Sequence, residues 1–256
     1  LREHLTEETA VTPVVRCAAI EGVIGGGTQV IAKLEFLQRT GTFKARGALA
    51  TLHGLTAAEL EQGVTAVSAG NHAIAVAYAA RALGTTAKVV MVSSANPSRV
   101  DSCRGFGAEV VLAENVHEAF AVAERIQSEE GRYFVHPFEG RAVALGTGTV
   151  GLEICEQVDD FDALIVPIGG GGLIGGIANA VKQLRPDCQI IGVEPEGADS
   201  IHRRREAGKP VAIEKVTTIA DSLGAQFAMP FSFELIQRNF DTLALVSDDQ
   251  VRRTMG

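Results

Sequence analysis

The sequence predicts an α/β protein whose sheets are largely parallel and covered by helices. Short runs rich in β-branched residues alternate along the chain with longer amphipathic segments, which is the order expected when each strand is followed by a helix. The 256 residues include 46% hydrophobic side chains, 28 glycines and only 8 prolines. That composition is typical of a packed globular protein and excludes a largely disordered one.

Each predicted strand is a short apolar run bounded by glycine, proline or polar residues. The predicted strands are residues 29–36, 63–68, 87–92, 109–112, 133–136, 163–167 and 189–194. The segments between them suit helices, and several end near a glycine, as at Gly84 and Gly107. The predicted helices are residues 43–55, 72–83, 98–106, 116–130, 150–157 and 173–184.

Charge and cysteine content limit the possible partners. The net charge of −8 gives no general attraction to phosphate backbones or anionic lipid, so nucleic acid and membrane surfaces are not expected partners. The 4 cysteines stand far apart without a CxxC motif, which favours reduced, structural thiols. The residues from Leu1 onward lack the apolar run of a signal peptide, so a cytoplasmic address is expected. Residues 163–181 carry no charge, but Pro167 and the glycines that follow it favour a strand, a loop and a helix over a membrane span.

No segment has the composition of a flexible linker, so a domain boundary is expected to be a crossing within a packed body. The best crossings lie near residues 45 and 138. They would make residues 46–137 a small domain and residues 1–45 together with 138–256 a large one.

A run of four glycines, Gly169 to Gly172, joins an apolar strand to a helix. Glycines allow backbone N–H groups to converge, and the helix N-terminus adds partial positive charge, so the segment predicts a phosphate site. The Lys-Ser/Thr pair of a Walker loop is missing, which disfavours a nucleoside triphosphate. A close-packed turn is the simpler alternative, although such a turn needs only one or two glycines.

Lys44 stands at the predicted start of a helix, next to Phe43 and several small residues. A helix N-terminus and burial both disfavour an ammonium ion, so this amine is a candidate for a depressed pKa and for Schiff-base chemistry. Taken alone the signal is weak, because a lysine in a first helical turn is usually solvated.

A third segment, Ser68-Ala69-Gly70-Asn71-His72, follows a strand and opens a helix, where ligands collect in parallel sheets. Its small residues leave room for a ligand, and the free N–H groups of the helix start suit a carboxylate. A capping turn, with Ser68 or Asn71 as the cap, explains the segment equally well in isolation. His72 reads more readily as a structural helix residue than as an acid or base.

Together these three segments provide a reactive amine, a carboxylate-sized pocket and a phosphate cradle. The motifs T-G-T-F-K-A-R-G-A, S-A-G-N-H-A and G-G-G-G-L resemble the lysine, substrate-loop and phosphate-loop signatures of the fold-type II pyridoxal-phosphate enzymes. Within them the resemblance is to the serine/threonine dehydratase (threonine ammonia-lyase) and serine racemase family, and it extends over nearly the whole chain. It implies a two-lobed α/β fold like that of the tryptophan synthase β chain, in which each lobe is a largely parallel sheet flanked by helices.

The resemblance also implies a role for each matching residue. Lys44 would bind pyridoxal 5'-phosphate as a Schiff base and later take the Cα proton, with Phe43 packed beside the ring. Asn71 would hydrogen-bond the cofactor's 3-hydroxyl. The phosphate would be held by the backbone N–H groups of Gly169, Gly170, Gly171, Gly172 and Leu173. The substrate would be bound by Ser68, Ala69, Gly70, Asn71 and His72. The implied reaction is removal of water from L-threonine, L-serine or a related β-hydroxy amino acid, giving a 2-oxo acid and ammonia.

Several positions depart from relatives of the same fold. Racemases of the family carry a reprotonating serine where this chain has Ala69, which favours a dehydratase over a racemase. Sulfhydrylases and related β-replacement enzymes have different substrate and phosphate loops, so β-replacement is a further alternative. Ser222 replaces a glycine expected near the cofactor ring, and Thr147 replaces a glutamine. Both leave the substrate identity open.

A divalent cation such as Mg²⁺, Ca²⁺ or Mn²⁺ is also implied by the resemblance. Glu194 and the carbonyl of Ala198 match its ligands, but Ser200 stands where a second acid is expected, and neighbouring Asp199 is the candidate substitute.

The resemblance further implies a homodimer and a partner for the pyridine nitrogen that lies beyond residue 256. Because family members continue further and the chain starts at Leu1, the sequence is expected to be part of a longer protein. A non-catalytic cofactor-binding α/β protein stays open as an alternative, although no G-x-G-x-x-G fingerprint opens an early βαβ unit.

Overall fold

The computed structural model describes residue 5 and residues 7–255. These residues form strands and helices that alternate along most of the chain. The strands are β1 (Val14–Arg16), β2 (Ile31–Lys33), β3 (Val64–Val67), β4 (Ala87–Val92), β5 (Glu109–Ala113), β6 (Tyr133–Phe134), β7 (Ala163–Pro167), β8 (Gln189–Pro195) and β9 (Thr242–Val246). The helices are α1 (Ala18–Ile24), α2 (Lys44–His53), α3 (Ala57–Gln62), α4 (Asn71–Ala82), α5 (Pro97–Gly105), α6 (Val116–Glu130), α7 (Arg141–Gln157), α8 (Gly172–Leu184), α9 (Ser200–Ala207), α10 (Pro230–Asn239) and α11 (Asp248–Thr254).

Two of the sheets are parallel, as the alternation of strands and helices predicts. One has four strands in the order β5-β4-β3-β6, and the other has three in the order β7-β8-β9. The third sheet is the short antiparallel pair β1-β2. The parallel sheets lie in separate stretches of the chain, residues 64–134 and 163–246. The domain boundaries near residues 45 and 138 stay a prediction.

Each parallel sheet is covered by helices that bury small and branched apolar residues. Ala66 and Val89 on neighbouring strands pack with Leu49 and Val76, all fully buried in the first cluster. Ile190 of β8 packs with Ile174 of α8 and with Ile236 of α10 in a second cluster. Burial of this apolar surface is the main force that holds each sheet to its helices.

The uncharged stretch 163–181 forms strand β7, the glycine turn and the first part of α8, as predicted. Among the described residues, no helix combines the length and the apolar character that crossing a membrane requires.

The segment predicted as a strand over residues 29–36 is mostly not a strand. Only Ile31–Lys33 is extended, and a 3₁₀ helix covers Glu35–Leu37. Among the described residues, β2 pairs with β1 alone, and this pairing covers three residues.

The helix predicted over residues 150–157 begins nine residues earlier, at Arg141. Glycines at 146, 148 and 151 suggest a loop in the sequence, but they lie inside α7 at its contacts with neighbouring helices. A Cβ on Gly146 would lie 2.3 Å from the carbonyl oxygen of Arg46, and one on Gly151 would lie 2.9 Å from that of Ile177. Glycine therefore permits a close approach of backbones, whose value here exceeds its cost in helix propensity.

A buried network of charges fastens α2 to its surroundings. The Arg46 guanidinium, which is 1% exposed, bonds both oxygens of Glu35 at 2.8 and 2.9 Å and both oxygens of Glu153 at 2.5 and 3.0 Å. Lys33 donates to Glu153 at 2.5 Å and to Gln157 at 2.7 Å. Two positive and two negative side chains are thus paired with little access to water, and they join the β2 region, α2 and α7.

We expect Glu153→Gln to destabilise the protein strongly. The substitution keeps the shape of the side chain but leaves Arg46 and Lys33 buried without their shared carboxylate, which costs about 3–5 kcal/mol. The free energy of unfolding from urea titration checks this. The control is Glu234→Gln, which removes the exposed pair with Arg238 and should cost less than about 1 kcal/mol. Equal losses in the two variants would contradict the prediction.

Candidate active site

A cavity of about 490 Å³ opens between the two parallel sheets and their loops. Most of its lining comes from five segments, residues 41–44, 67–72, 137–138, 169–173 and 221–225, and the rest from Glu35, Phe36, Arg99 and Pro167. The sequence-predicted cofactor and substrate residues all line it: Phe43, Lys44, Ser68, Ala69, Gly70, Asn71, His72, Gly169, Gly170, Gly171, Gly172 and Leu173. The structure therefore brings three segments that are far apart in sequence to one place, while the roles assigned to the individual residues stay predictions.

Lys44 is the first residue of α2, as predicted, and its amine points into this region. The Nζ atom donates a hydrogen bond to the carbonyl oxygen of Pro137 at 2.5 Å and lies 5.3 Å from the centre of the Phe43 ring. Burial lowers the pKa of the amine to about 8. The neutral, nucleophilic fraction of Lys44 near neutral pH is therefore larger than that of an ordinary lysine.

Two histidines near Lys44 are neutral, which keeps additional positive charge away from the amine. Burial and then the charge of Lys44 lower the pKa of His72 to about 3, and its Nε2 donates to the Val135 carbonyl at 2.8 Å. Burial also lowers the pKa of His136 to about 4, and its Nδ1 accepts from the N–H groups of Phe138 and Glu139. His72 thus has the structural bond that its position in a helix suggested.

The four glycines form the predicted turn between β7 and α8. Gly171 has a φ of +89°, a conformation that favours glycine. A Cβ on Gly170 would lie 2.3 Å from the Phe138 ring, and one on Gly172 would lie 2.6 Å from the Phe138 carbonyl oxygen. Close packing explains these two glycines, and the N-terminus of α8 at the same turn gives the cavity a partial positive charge that suits an anion.

The loop before α4 lines the cavity, and no side chain caps the N-terminus of this helix. Gly70 is the N-cap residue of α4 and provides no side-chain cap, and its own N–H donates to the Ser68 hydroxyl at 3.1 Å. Ser68 is therefore not the helix cap that the sequence left open, because its hydroxyl bonds within the loop. The N–H groups in the first turn of α4 remain available to a carboxylate.

Two charged residues of the cavity wall, Arg99 and Asp221, were not predicted from the sequence. Arg99 at the start of α5 lines the cavity, and its Nη1 donates to Asp221 at 3.1 Å. The only signal for Arg99 was its place shortly after the carboxyl end of a parallel strand, where ligand sites collect. Ser222, noted as a departure, has its hydroxyl 3.5 Å from Asn71 Nδ2.

Glu194, near the end of β8, and Ala198, in the 3₁₀ helix that precedes α9, are not among the residues that line the cavity. The carboxylate of Glu194 accepts from the N–H groups of Ile201 and His202, both at 2.9 Å, and burial raises its pKa to about 7. Asp199 is paired with Arg203 at 2.7 Å. Across the part of the chain that the structure describes, no group of three acidic, histidine or cysteine side chains could hold a metal ion. In this arrangement Glu194 serves the helix N-terminus.

The reactivity of Lys44 toward an amine reagent should level off at a lower pH than that of other lysines. Because burial lowers its pKa to about 8, the neutral fraction of Lys44 rises as pH increases through 8 and then saturates. Brief reductive methylation from pH 6 to 11, followed by peptide mass analysis, measures this. Lys88 is the internal control, since its hydrogen bond to Glu130 raises its pKa and its labelling should still be increasing where that of Lys44 is constant. Parallel curves would contradict the assignment.

Comparisons with known proteins show the family to which the chain belongs. The sequence profile of the family described as pyridoxal-phosphate dependent enzyme matches residues 5–256. A phenylserine dehydratase of Ralstonia pickettii is 54% identical over 255 residues, covering 100% of this chain and 78% of that protein. An L-threonine ammonia-lyase of Thermotoga maritima is 38% identical over 241 residues, covering 94% of this chain. The chain spans only 60% of the length of that second relative.

Solved structures give the same result for the fold. Maize serine racemase superimposes with a TM-score of 0.95 at 33% identity, over 99% of this chain and 77% of that protein. The predicted fold class is confirmed. On the match of the family profile and on these similarities, the chain belongs to the pyridoxal-phosphate dependent enzymes of fold type II.

Proposed function

We propose that this chain removes water from a β-hydroxy amino acid and releases a 2-oxo acid and ammonia, with pyridoxal phosphate as its cofactor. One observation carries the proposal: the amine of Lys44, the loop 68–72 and the glycine turn 169–172 line a single cavity. Relatives named phenylserine dehydratase and L-threonine ammonia-lyase support the same class of reaction, which is a lyase reaction.

The residues present suit the cofactor. The glycine turn and the N-terminus of α8 offer backbone N–H groups and partial positive charge to a phosphate. Lys44, whose pKa is about 8, supplies an amine for covalent attachment of an aldehyde. Bound pyridoxal phosphate supplies an extended π system that takes up the electrons released when the Cα–H bond of an amino acid breaks.

The chain's own residues then bind the substrate and move protons. The N–H groups at the start of α4 would hold the substrate carboxylate, and Asn71 would orient the cofactor ring through its 3-hydroxyl. The free Lys44 amine would take the Cα proton, because a base with a pKa near the working pH combines availability with strength. The Pro137 carbonyl orients that amine through the 2.5 Å hydrogen bond.

Two other activities remain alternatives. Racemisation needs a second proton donor on the face opposite the lysine, and Ala69 at the matching position has no group that transfers a proton. For β-replacement, no residue of the substrate loop or the phosphate loop favours this reaction over elimination. A non-catalytic cofactor-binding protein is the alternative of another class, and covalent attachment of the cofactor to Lys44 would argue against it.

The β-substituent of the substrate is proposed to be apolar. Phe36, 65% exposed, and Leu223 line the cavity together with Phe43 and Phe138. An exposed aromatic side chain on a cavity wall is suited to contact an apolar ligand group. This favours phenylserine or threonine over serine, consistent with the names of the two relatives.

The divalent cation at Glu194 and the Ala198 carbonyl stays a prediction. It would require Glu194 to exchange its two N–H donors for a metal, and Ser200 or Asp199 to supply a further ligand. The cytoplasmic compartment likewise stays an expectation.

A homodimer is proposed as the assembly. Within the described residues, segment 11–37 carries a group of large apolar side chains that are at least 42% exposed and do not line the cavity: Val11, Val15, Ile20, Val23, Ile24, Ile31 and Leu37. An exposed apolar surface of this kind is typical of a protein interface. We propose that a second copy of the chain covers it.

The activity is tested with purified protein supplied with pyridoxal phosphate and a panel of phenylserine, threonine, serine and 3-hydroxyaspartate. We expect 2-oxo acid and ammonia in equal amounts from at least one substrate, and a loss of at least about 10³-fold in kcat for Lys44→Ala. Lys209→Ala, which changes an exposed lysine after α9, is the control. After borohydride reduction, peptide mapping should place the cofactor mass on Lys44. An unmodified Lys44 peptide, or D-serine as the main product, would contradict the proposal.

The dimer is tested with Val23→Glu, because Val23 is 88% exposed at the centre of the apolar segment. A charge at this position should shift the protein from dimer to monomer in sedimentation velocity. The matched control is Val116→Glu at the start of α6, where the valine is 54% exposed but lies outside segment 11–37. A wild-type monomer, or equal dissociation of the two variants, would contradict the interface.

A further inference from the structure

We propose that Arg99 and Asp221 are a positioning pair, which holds the loop 68–71 against the loop 221–225 across the mouth of the cavity. The description of loop 68–71 as the substrate loop rests on the proposed function, whereas the contacts of the pair do not. The two residues are far apart in sequence, and they lie in the connections of different sheets. Arg99 is in α5, which follows β4, and Asp221 is in the connection between β8 and β9.

The Arg99 side chain lies directly against the substrate loop. A Cβ added to Gly70 would lie 2.8 Å from Arg99 Nη1, 3.1 Å from Cζ and 3.3 Å from Cδ. The guanidinium therefore packs on the Cα of Gly70, and a side chain at position 70 would have to displace it.

The same guanidinium reaches across the cavity to Asp221, with Nη1 and Oδ2 3.1 Å apart. A second, weaker contact runs parallel to it: Asn71 Nδ2 donates to the Ser222 hydroxyl at 3.5 Å, and that hydroxyl donates to the other oxygen of Asp221 at 3.2 Å. Two neighbouring residues of the substrate loop are thus tied, directly or through Arg99, to two neighbouring residues of the opposite loop.

The loop 221–225 is held in place by further contacts, so Asp221 is a fixed partner for Arg99. Asp248, the first residue of α11, accepts from the Thr218 hydroxyl at 2.7 Å and from the Ile219 N–H at 3.0 Å. Leu223 lies against the glycine turn, because a Cβ on Gly169 would be 3.1 Å from the Leu223 Cα. The loop 221–225 therefore contacts the predicted phosphate turn at one point and the substrate loop at another.

The exposure of both side chains to water makes the ion pair reversible. The side chains of Arg99 and Asp221 are 31% and 67% exposed, and pairs with this exposure contribute little to global stability. Such a contact can open to admit a ligand and close again. Its contribution is local, because it restricts the first residues of the substrate loop.

Amide hydrogen exchange tests the pair without any substrate, on the full chain with pyridoxal phosphate added. In Arg99→Gln and in Asp221→Asn, exchange at residues 68–73 and 221–225 should be about two- to fivefold faster than in the wild type. The charge-reversed double variant Arg99→Asp with Asp221→Arg should restore most of the protection, although each reversal alone removes it. Arg104→Gln, which breaks the exposed Arg104–Asp101 pair on the same helix, is the control and should leave both segments unchanged.

Steady-state kinetics distinguishes positioning from direct contact with the substrate. If the pair positions the loop, Arg99→Gln raises KM by a similar factor for the amino acid and for its methyl ester, and Arg99→Lys recovers part of the loss. A rise in KM confined to the free acid would mean that Arg99 binds the substrate carboxylate itself, and would overturn the proposal. Unchanged exchange in the single variants, or no recovery in the reversed pair, would also overturn it. Absence of turnover by the wild type would contradict the proposed function, and the exchange data would still decide on the pair.

Discussion

The close packing of α2, α7 and α8 is the constraint on which the site depends. At Gly146 the backbone of α7 touches the Arg46 carbonyl of α2, and at Gly176 a Cβ would lie 2.5 Å from the Ala144 carbonyl oxygen. Side chains at these positions would force the helices apart. Because Lys44 opens α2 and Gly172 opens α8, the distance between the amine and the glycine turn is set by these backbone contacts. The buried pairing of Arg46 with Glu35 and Glu153 then holds α2 in that position.

Burial of the Lys44 amine follows from the same packing, and it gives the site its chemistry. An ammonium ion is costly in a pocket lined by Val143, Gly47 and two neutral histidines. In the described part of the chain, no carboxylate bonds the Lys44 amine to offset this cost. The protein provides one carbonyl acceptor, that of Pro137, which a neutral amine also satisfies. The contrast with Lys33 is informative, because that lysine is buried against the Glu153 carboxylate and serves structure. The partner, and not burial alone, separates a reactive lysine from a structural one.

The sequence predicts those parts of the fold and site that local chemistry determines. The strands at 64–67, 87–92 and 163–167 and the glycine turn follow from apolar runs and from glycine, and the convergence of Lys44, Asn71 and Gly170 follows from the joint motif. The first half of α7 was missed, because its glycines signal a loop locally and a helix contact only in three dimensions. Arg99 and Asp221 were missed because neither segment contains a sequence pattern that indicates contact with the other. Long-range pairing is a property of the assembled sheets, and single-segment patterns do not contain it.

The division between these two kinds of residue also explains why reaction class is easier to infer than substrate. The residues proposed to hold the cofactor phosphate are glycines in close backbone contacts, which few replacements would satisfy. The walls that a substrate side chain would meet include Phe36, Ser222 and Leu223, which lie in two short 3₁₀ helices and have fewer constraints. Proteins similar to this chain carry different names, from phenylserine dehydratase to serine racemase. We propose that a few side chains on the cavity wall decide substrate choice in this chain, and one of them, Ser222, departs from the family pattern.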